Sequence, residues 1–498
     1  MSGAAIFYYS LYLIMYGGFT FGLYKLFQKA DIEGWKALIP VYGSILWAKL
    51  IGKPFYWVIL MFVPIVGILV LVAMLIELAK VYGKHDLKHH AAALILPFLF
   101  FPKIGFDEKV KYLGPVEGQK NLPKKTGSRE WGDAILFAGV AALLIRSFFI
   151  EAFMIPTSSM ERTLMAGDFL FVSKFHYGVR MPIVPLSVPF FHNKISIGGN
   201  TIPSYLDFLQ LPYFRTLKFN QVDRNDIVVF NYPAHDIHDL GDGVGTVDPI
   251  SVKENYIKRC VAIPGDTFEI RNQQVYINGE PGYNPPNMQY LYQVETNGNF
   301  FSQRRLNELG MRGSSDRGTT PNANWQNVGV SNLYFFWMPD SVAQLVKAYD
   351  NVQKVDTIAE QRGVHLTNIY PRYNNGNGKL FPNNADHFAQ MVIPARGMTV
   401  ELTPEHLSLY YRPITAYEGH ELEEKNGKIY LDGEETTSYT FELDYYFMMG
   451  DNRHNSEDSR YWGFVPETHI VGTPILVFMS YESDFGIRWN RIGRKYVH

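Results

Sequence analysis

Apolar residues crowd the first 150 positions of this 498-residue chain, and that crowding limits what the chain can fold into. Residues 1–24 carry no charged side chain before Lys25. Residues 54–76 form a second uncharged run of 23 between Lys53 and Glu77. Residues 134–150 form a third, interrupted by Arg146 alone. A helix of about 20 such residues crosses the hydrocarbon core of a bilayer, so each run predicts a membrane span. Arg146 stands near the end of its run, from where it can snorkel to the headgroups. The apolar stretches 37–48 and 91–101 are short and predict interfacial or re-entrant segments. A cleavable signal peptide fits residues 1–24 poorly, because a basic leading region and a small-residue cut site are missing. This run therefore predicts a retained anchor.

Charge sets the expected orientation. Residues 103–129 hold seven lysines and arginines, which by the positive-inside rule places that loop in the cytoplasm. The 134–150 helix then leads out, and everything after it is expected on the extracytoplasmic side. The formal net charge of -2 gives no global field that would draw nucleic acid. The single cysteine, Cys260, allows no internal disulfide and reads as a small buried core residue. His85, His89 and His90 read as interfacial charge. His235 and His238, with Asp236 and Asp239, read as a solvated loop rather than a metal site.

From Phe153 onward the pattern changes to short β-type runs separated by Gly, Pro and Asn. Residues 168–172, 226–230, 268–270 and 275–277 read as strands, and Asn278-Gly279 is a hairpin-turn signal. A related pattern recurs where 428–431 leads into Asp432-Gly433-Glu434. Ile263-Pro264 and Ile393-Pro394 precede the two copies. The recurrence is either a local echo of one β-ribbon at the edges of an insertion or a chance likeness. Residues 284–388, rich in Asn, Tyr and Gly with a helix-like 341–349, predict an accessory subdomain inserted in a β core.

Three stretches carry chemistry: Ile155-Pro156-Thr157-Ser158-Ser159-Met160, Tyr256-Ile257-Lys258-Arg259 running into Pro264-Gly265-Asp266, and Gly450-Asp451-Asn452-Arg453-His454-Asn455-Ser456-Glu457-Asp458-Ser459-Arg460. A serine hydroxyl becomes a nucleophile only when a base takes its proton. Ser159 has neither a His–Asp pair nor a Gly-x-Ser-x-Gly elbow around it in sequence. A lysine can serve instead if burial keeps its amine neutral. Lys258 lies in a β-type run in which it shares a face with Tyr256 and Cys260, with Arg259 on the other. That is a credible setting for an unprotonated lysine.

The three stretches resemble the signature boxes of bacterial type I signal peptidase, a membrane-bound serine–lysine protease. The resemblance covers about half of the chain beyond Ile150, plus the anchor before it. It implies a mainly β, extracytoplasmic catalytic domain behind an α-helical transmembrane region. Its expected limits are residues 1–131 for the multi-span membrane region with its basic loop, and 132–152 for the anchor helix. Residues 153–283 with 389–498 would be catalytic, and 284–388 inserted.

By position, the resemblance makes Ser159 the nucleophile and Lys258 the general base. Thr157 would help the Ser159 amide hold the oxyanion, and Ser456 would orient the lysine. Asp451, Arg453, Asp458 and Arg460 would brace the site. Phe153, Ile155, Pro156, Met160, Leu164, Tyr256 and Ile257 would bind substrate, favouring small side chains at the first and third positions before the cut. The implied partners are preprotein signal peptides, membrane lipid and the secretion machinery, with no nucleic acid, and no cofactor or metal is implied. The implied location is the inner membrane, with the catalytic domain outside it. About nine residues separate Ile150 from Ser159, an extended reach of ~30 Å, so the site is expected close to the membrane surface. Arg162 stands where the family usually has proline, and Ser158 where glycine is common. Two rival readings keep the cleft: a catalytically silent binding module and a maturation protease for one dedicated substrate.

Overall fold

The computed structural model describes residues 3–119, 127–184, 194–197, 200–206, 209–216, 219–233, 249–299, 301–311, 325–327, 332–373, 376, 378–482 and 486–496. His235, Asp236, His238 and Asp239 lie outside them. The chain divides into two units, Met1–Glu151 with Val179–Met181 and Pro212–Thr216, and Ala152–Gly178 with Pro182–Leu211 and Leu217–His498.

The first unit is helical. Gly3–Lys29, of 27 residues, and Gly127–Phe148, of 22, are long and apolar enough to cross a membrane. Ile6, Phe7, Leu13 and Ile14 of the first stand exposed, an outer face suited to lipid. Gly22 lets this helix approach Pro97–Phe106 backbone to backbone, since a Cβ there would lie 2.6 Å from the Pro102 nitrogen. Leu26, Phe27, Trp47, Met74, Leu78 and Phe101 fill the centre.

The uncharged run 54–76 is not one helix. It is split into Tyr56–Leu60 and Val66–Lys80, with Ile65 at φ +66° between them. Pro64 supplies no amide hydrogen there and disfavours a helical residue before it, which hydropathy alone does not register. The 91–101 stretch is divided in the same way, with Leu87–Ile95 ending before Pro97. His90 is buried rather than interfacial, with Nδ1 3.0 Å from the Asp133 carboxylate. Arg146 bonds Glu151 at 2.7 Å.

The second unit is mainly β. Its principal sheet runs, from edge to edge, Ile150–Met154, Asp168–Ser173, Ile470–Glu482, Ile227–Asn231, Asn255–Ala262, Tyr445–Met449 and Val465–Pro466. Every residue of Ile227–Asn231 is buried, because both faces of that strand are covered. Val228 and Phe230 pack with Cys260, Met448 and Trp462, while Ile227 and Val229 pack with Ile155, Met160, Leu164 and Leu170. An unbroken Ile-Val-Val-Phe run is what such a strand needs. Cys260 is fully buried, as its sequence setting predicts.

Around this sheet lie smaller ones. Thr267–Arg271 and Gln274–Ile277 form a hairpin that turns again at Asn278 and Gly279, at φ +54° and +85°. Asp432 and Gly433 repeat that turn at +51° and +85° after Lys428–Leu431. The two Ile-Pro copies meet directly, with Ile393 N–H donating to the Asp266 carbonyl at 2.8 Å and Gly265 N–H to that of Ile393 at 2.9 Å. Tyr290–Thr296, Trp325–Asn327, Leu333–Met338 and Val352–Thr357 form a separate sheet. It closes with the Asp340–Lys347 helix on its own cluster of Val294, Phe301, Phe336 and Val346. Ile369, Tyr370, Phe381 and Phe388 join the large cluster around Phe268, Phe447 and Phe464 instead.

Candidate active site

Ser159 sits in the turn that follows Ile150–Met154, and Lys258 in the middle of Asn255–Ala262. The fold brings them together: Lys258 Nζ lies 2.8 Å from Ser159 Oγ and 3.1 Å from the Ile257 carbonyl. Lys258 is 3 % exposed and Ser159 8 %. Burial holds the lysine amine down at about 8, although Asp458, Glu457 and Asp451 each pull it back up. A buried amine so shifted is partly neutral near neutral pH and can accept a proton. Thr157 Oγ1 is 3.4 Å from Ser159 Oγ.

The pair opens on a cleft of about 530 Å³, lined by Ile155, Pro156, Thr157, Ser159, Tyr256, Ile257, Lys258 and Ser456 among others. Two sheet edges border it. Ile150–Met154 is the terminal strand of the sheet, and Asn255, Tyr256 and Ile257 pair only with Ile227–Asn231 among the described residues. Phe153, Met160 and Leu164 lie outside the cleft lining. They pack with Ile155 in the apolar cluster, where Met160 and Leu164 are fully buried.

The glycine–aspartate loop, Gly450 to Ser459, grips the turn that carries Ser159. Asn452 N–H donates to the Ser159 carbonyl at 3.0 Å, and its side chain donates to the Ser158 carbonyl at 3.1 Å. Asn455 Nδ2 donates to Ser158 Oγ at 3.0 Å, so the serine standing in place of glycine has work in this chain. Gly450 cannot be larger: a Cβ there would run into Ser456 Oγ and lie 2.5 Å from the Ser159 carbonyl. Ser456 is buried with no hydrogen-bond partner for its hydroxyl among the described residues.

The four predicted bracing charges are all buried. Asp451 receives Arg259 Nε at 2.8 Å and Nη2 at 2.7 Å, and the Thr163 hydroxyl at 2.7 Å. Asp458 accepts from the Gly450 amide at 3.0 Å and from Arg460 Nε at 2.9 Å. Burial opposes the Asp458 charge, but Arg460 and that amide hold its carboxyl below the usual range. Arg460 also donates to the Arg453 carbonyl at 2.6 Å. Burial pushes the Arg453 guanidinium down.

Sequence reasoning missed Arg259 and Thr163 as partners of Asp451, because that pairing spans about 190 and 290 positions of the chain. It also missed Glu254, Asn255, His454, Asn455, Glu457 and Tyr461, which complete the cleft lining. The box spacing itself was the available signal for His454, Asn455 and Glu457.

The accessory sheet reaches this loop. Gln289 N–H donates to the Asp451 carbonyl at 2.8 Å, and Arg453 N–H to that of Gln289 at 2.9 Å. Leu291 N–H donates to His454 Nδ1 at 3.1 Å, which leaves the imidazole proton on Nε2, 2.7 Å from Asp386. Arg162 Nη2 donates to the Leu309 carbonyl at 2.7 Å. Arg162 stands at φ +66°, a conformation proline cannot adopt, so its departure from the family pattern is built into the turn.

Comparison with known proteins now fixes the class. A model described as "Signal peptidase, peptidase S26" matches residues 128–343 and 383–479, and a family of unknown function, DUF5684, matches 35–115. Signal peptidase I of Pseudomonas fluorescens is 32% identical over 363 residues, 71% of this chain and 72% of that one. Signal peptidase I of Buchnera aphidicola subsp. Acyrthosiphon pisum is 27% identical over 362 residues, 71% and 77% of the two chains. That of Pseudomonas aeruginosa is 30% identical over 200 residues, 38% and 53%. The protein is therefore a peptidase, with a mainly β domain preceded by apolar helices. It belongs to the signal peptidase, peptidase S26, family.

Proposed function

We propose that this chain cleaves N-terminal signal peptides from exported preproteins, with Ser159 as nucleophile and Lys258 as general base. The contact of 2.8 Å between Lys258 Nζ and Ser159 Oγ, buried at the floor of the cleft, carries the reading. An extended peptide adds as a strand between the two open edges, which presents its scissile carbonyl to Ser159. Lys258 takes the hydroxyl proton as Oγ attacks, then passes it to the leaving amine. Water hydrolyses the acyl-enzyme with the same lysine as base. The Ser159 amide and the Thr157 hydroxyl hold the developing oxyanion. The Asp451–Arg259 and Asp458–Arg460 pairs hold the loop that carries Ser456.

Ile155 and Ile257 narrow the cleft, which supports small residues at the first and third positions before the cut. The two long apolar helices support a membrane-bound enzyme with lipid as its setting, and the basic run 103–129 supports an extracytoplasmic catalytic domain, to which the secretion machinery would supply substrate. The test is cleavage in detergent of a preprotein with a small-x-small site, by the native chain, Ser159→Ala and Lys258→Ala. Native is expected to cut after the second small residue and each variant to lose at least about 10³-fold in kcat. Either variant cutting like native would overturn the assignment.

A further inference from the structure

We propose that the cleft also selects a cationic side chain in the substrate close to the cut, held at the rim by Glu254 and Glu457 beside Tyr256. This rests on the peptidase reading above and adds a charge preference to it. Glu254 and Glu457 line the same cleft as Ser159 and Lys258, and both are exposed. Neither has an ion-pair partner among the described residues. The buried carboxylates around the site are all engaged: Asp451 by Arg259, Asp458 by Arg460 and Asp386 by His454. The two glutamates are the negative charges left facing the cleft.

They flank an aromatic wall. The Tyr256 ring lies 4.8 Å from that of Tyr232 and 5.4 Å from that of Trp462, and Tyr461 lines the cleft beside it. Burial, then Glu457 and Glu254, push the Tyr256 hydroxyl up to about 12, so both carboxylates act on one ring. Lys258 Nζ lies 5.3 Å from the centroid of the same ring, so the ring stands within reach of an amine. Ser456, 7 % exposed with an unpartnered hydroxyl, lines the same space and adds a polar group for an incoming ligand. Carboxylates beside aromatic faces are the chemistry that recognises lysine and arginine.

Position follows from the geometry of an added strand. Alternate side chains face opposite ways, so the small residues at the first and third positions before the cut turn inward. A rim charge then meets the second position before the cut or the first two after it.

The test uses matched peptides with one small-x-small site, carrying Lys, Gln or Glu singly at each of those three positions, and the full chain in detergent. At one position at least, kcat/KM is expected to fall in the order Lys, Gln, Glu, by roughly three- to tenfold across the series, mainly through KM. The double variant Glu254→Gln/Glu457→Gln is expected to flatten that order, and added salt to weaken it in native. An order unchanged by the double variant, or no order at any position, overturns the proposal. Affinity of the same peptides for Ser159→Ala, read by fluorescence, gives the preference without turnover. If native cuts none of them, the peptidase reading fails. The charge proposal then stands on that binding order, or falls if Lys and Glu peptides bind equally.

Discussion

Lys258 decides whether this site can work, because a protonated amine 2.8 Å from Ser159 Oγ cannot take a proton. With the amine held at about 8, kcat/KM is expected to rise tenfold per pH unit below that value and level above it. Glu457 is one of the carboxylates that hold the amine up, so Glu457→Gln should move this limb to lower pH; a pH–rate profile reads both. The same depression bears on stability. An unfolded lysine titrates near 10.5, so between about 8 and 10.5 the unfolded chain binds the proton the folded chain has lost. Stability attributable to this group therefore rises with pH across that window, and below about 8 the full penalty stands, roughly 3 kcal/mol. Lys258→Met should accordingly be inactive yet more stable, by about 1–3 kcal/mol in denaturant unfolding of the detergent-held protein at pH 7. An unchanged or lower midpoint would contradict the buried amine. This residue was legible in sequence, since Tyr-Ile-Lys-Arg-Cys-Val-Ala surrounds one lysine with strand formers. Its carboxylate neighbours were legible as box residues. Which of them face it was not, because that depends on how the loop closes.

At the scale of elements, the glycine–aspartate loop is the part that locks the Ser159 turn. Asp451 is its centre, receiving two guanidinium bonds and one hydroxyl. Asp451→Asn leaves Arg259 buried without its charge partner and should cost about 3–5 kcal/mol, with loss of cleavage. Urea unfolding checks the first and a preprotein assay the second. Arg162→Pro, though it would bring this turn nearer to the usual family pattern, should destabilise by about 3 kcal/mol or more, because φ +66° is closed to proline. Arg162→Gly should be tolerated far better, losing the bond to Leu309 but no backbone comfort. The β elements could be read because strand-forming runs and Asn-Gly or Asp-Gly turns have local causes. The break at Pro64 was missed because a count of uncharged residues says nothing of backbone geometry. The Arg259–Asp451 pair was missed because sequence position does not tell which distant side chains meet.

At the scale of the molecule, the β core holds a sheet with a centre of its own, tied to the glycine–aspartate loop through Gln289, Leu291 and His454. Val294 pairs with Val355 across its neighbouring strands, so a short turn could join residue 295 to 354 and leave those ties in place. Such a chain loses the Leu333–Met338 strand, most of the cluster over Tyr292 and Val294, and the Arg162–Leu309 bond, so it should be less stable. While folded, it should still cleave a small-x-small reporter within about threefold of native. A loss as large as that of Ser159→Ala would mean that the accessory sheet supplies part of the site. The composition of residues 284–388 suggested an insertion there. Which aromatic residues join which cluster is not marked by any local pattern, because it depends on how distant strands pair.

The central claim is that Ser159 forms the covalent intermediate with Lys258 as its base. It is tested most directly by trapping the acyl-enzyme. The native chain and Lys258→Ala are each incubated with an activated small-x-small peptide ester, quenched in acid, digested and mapped by mass spectrometry. The account predicts one acyl group on Ser159 in the native chain and acylation slowed by at least about 10³-fold in Lys258→Ala. An acyl group on any other residue, or equal acylation of Lys258→Ala, would contradict it.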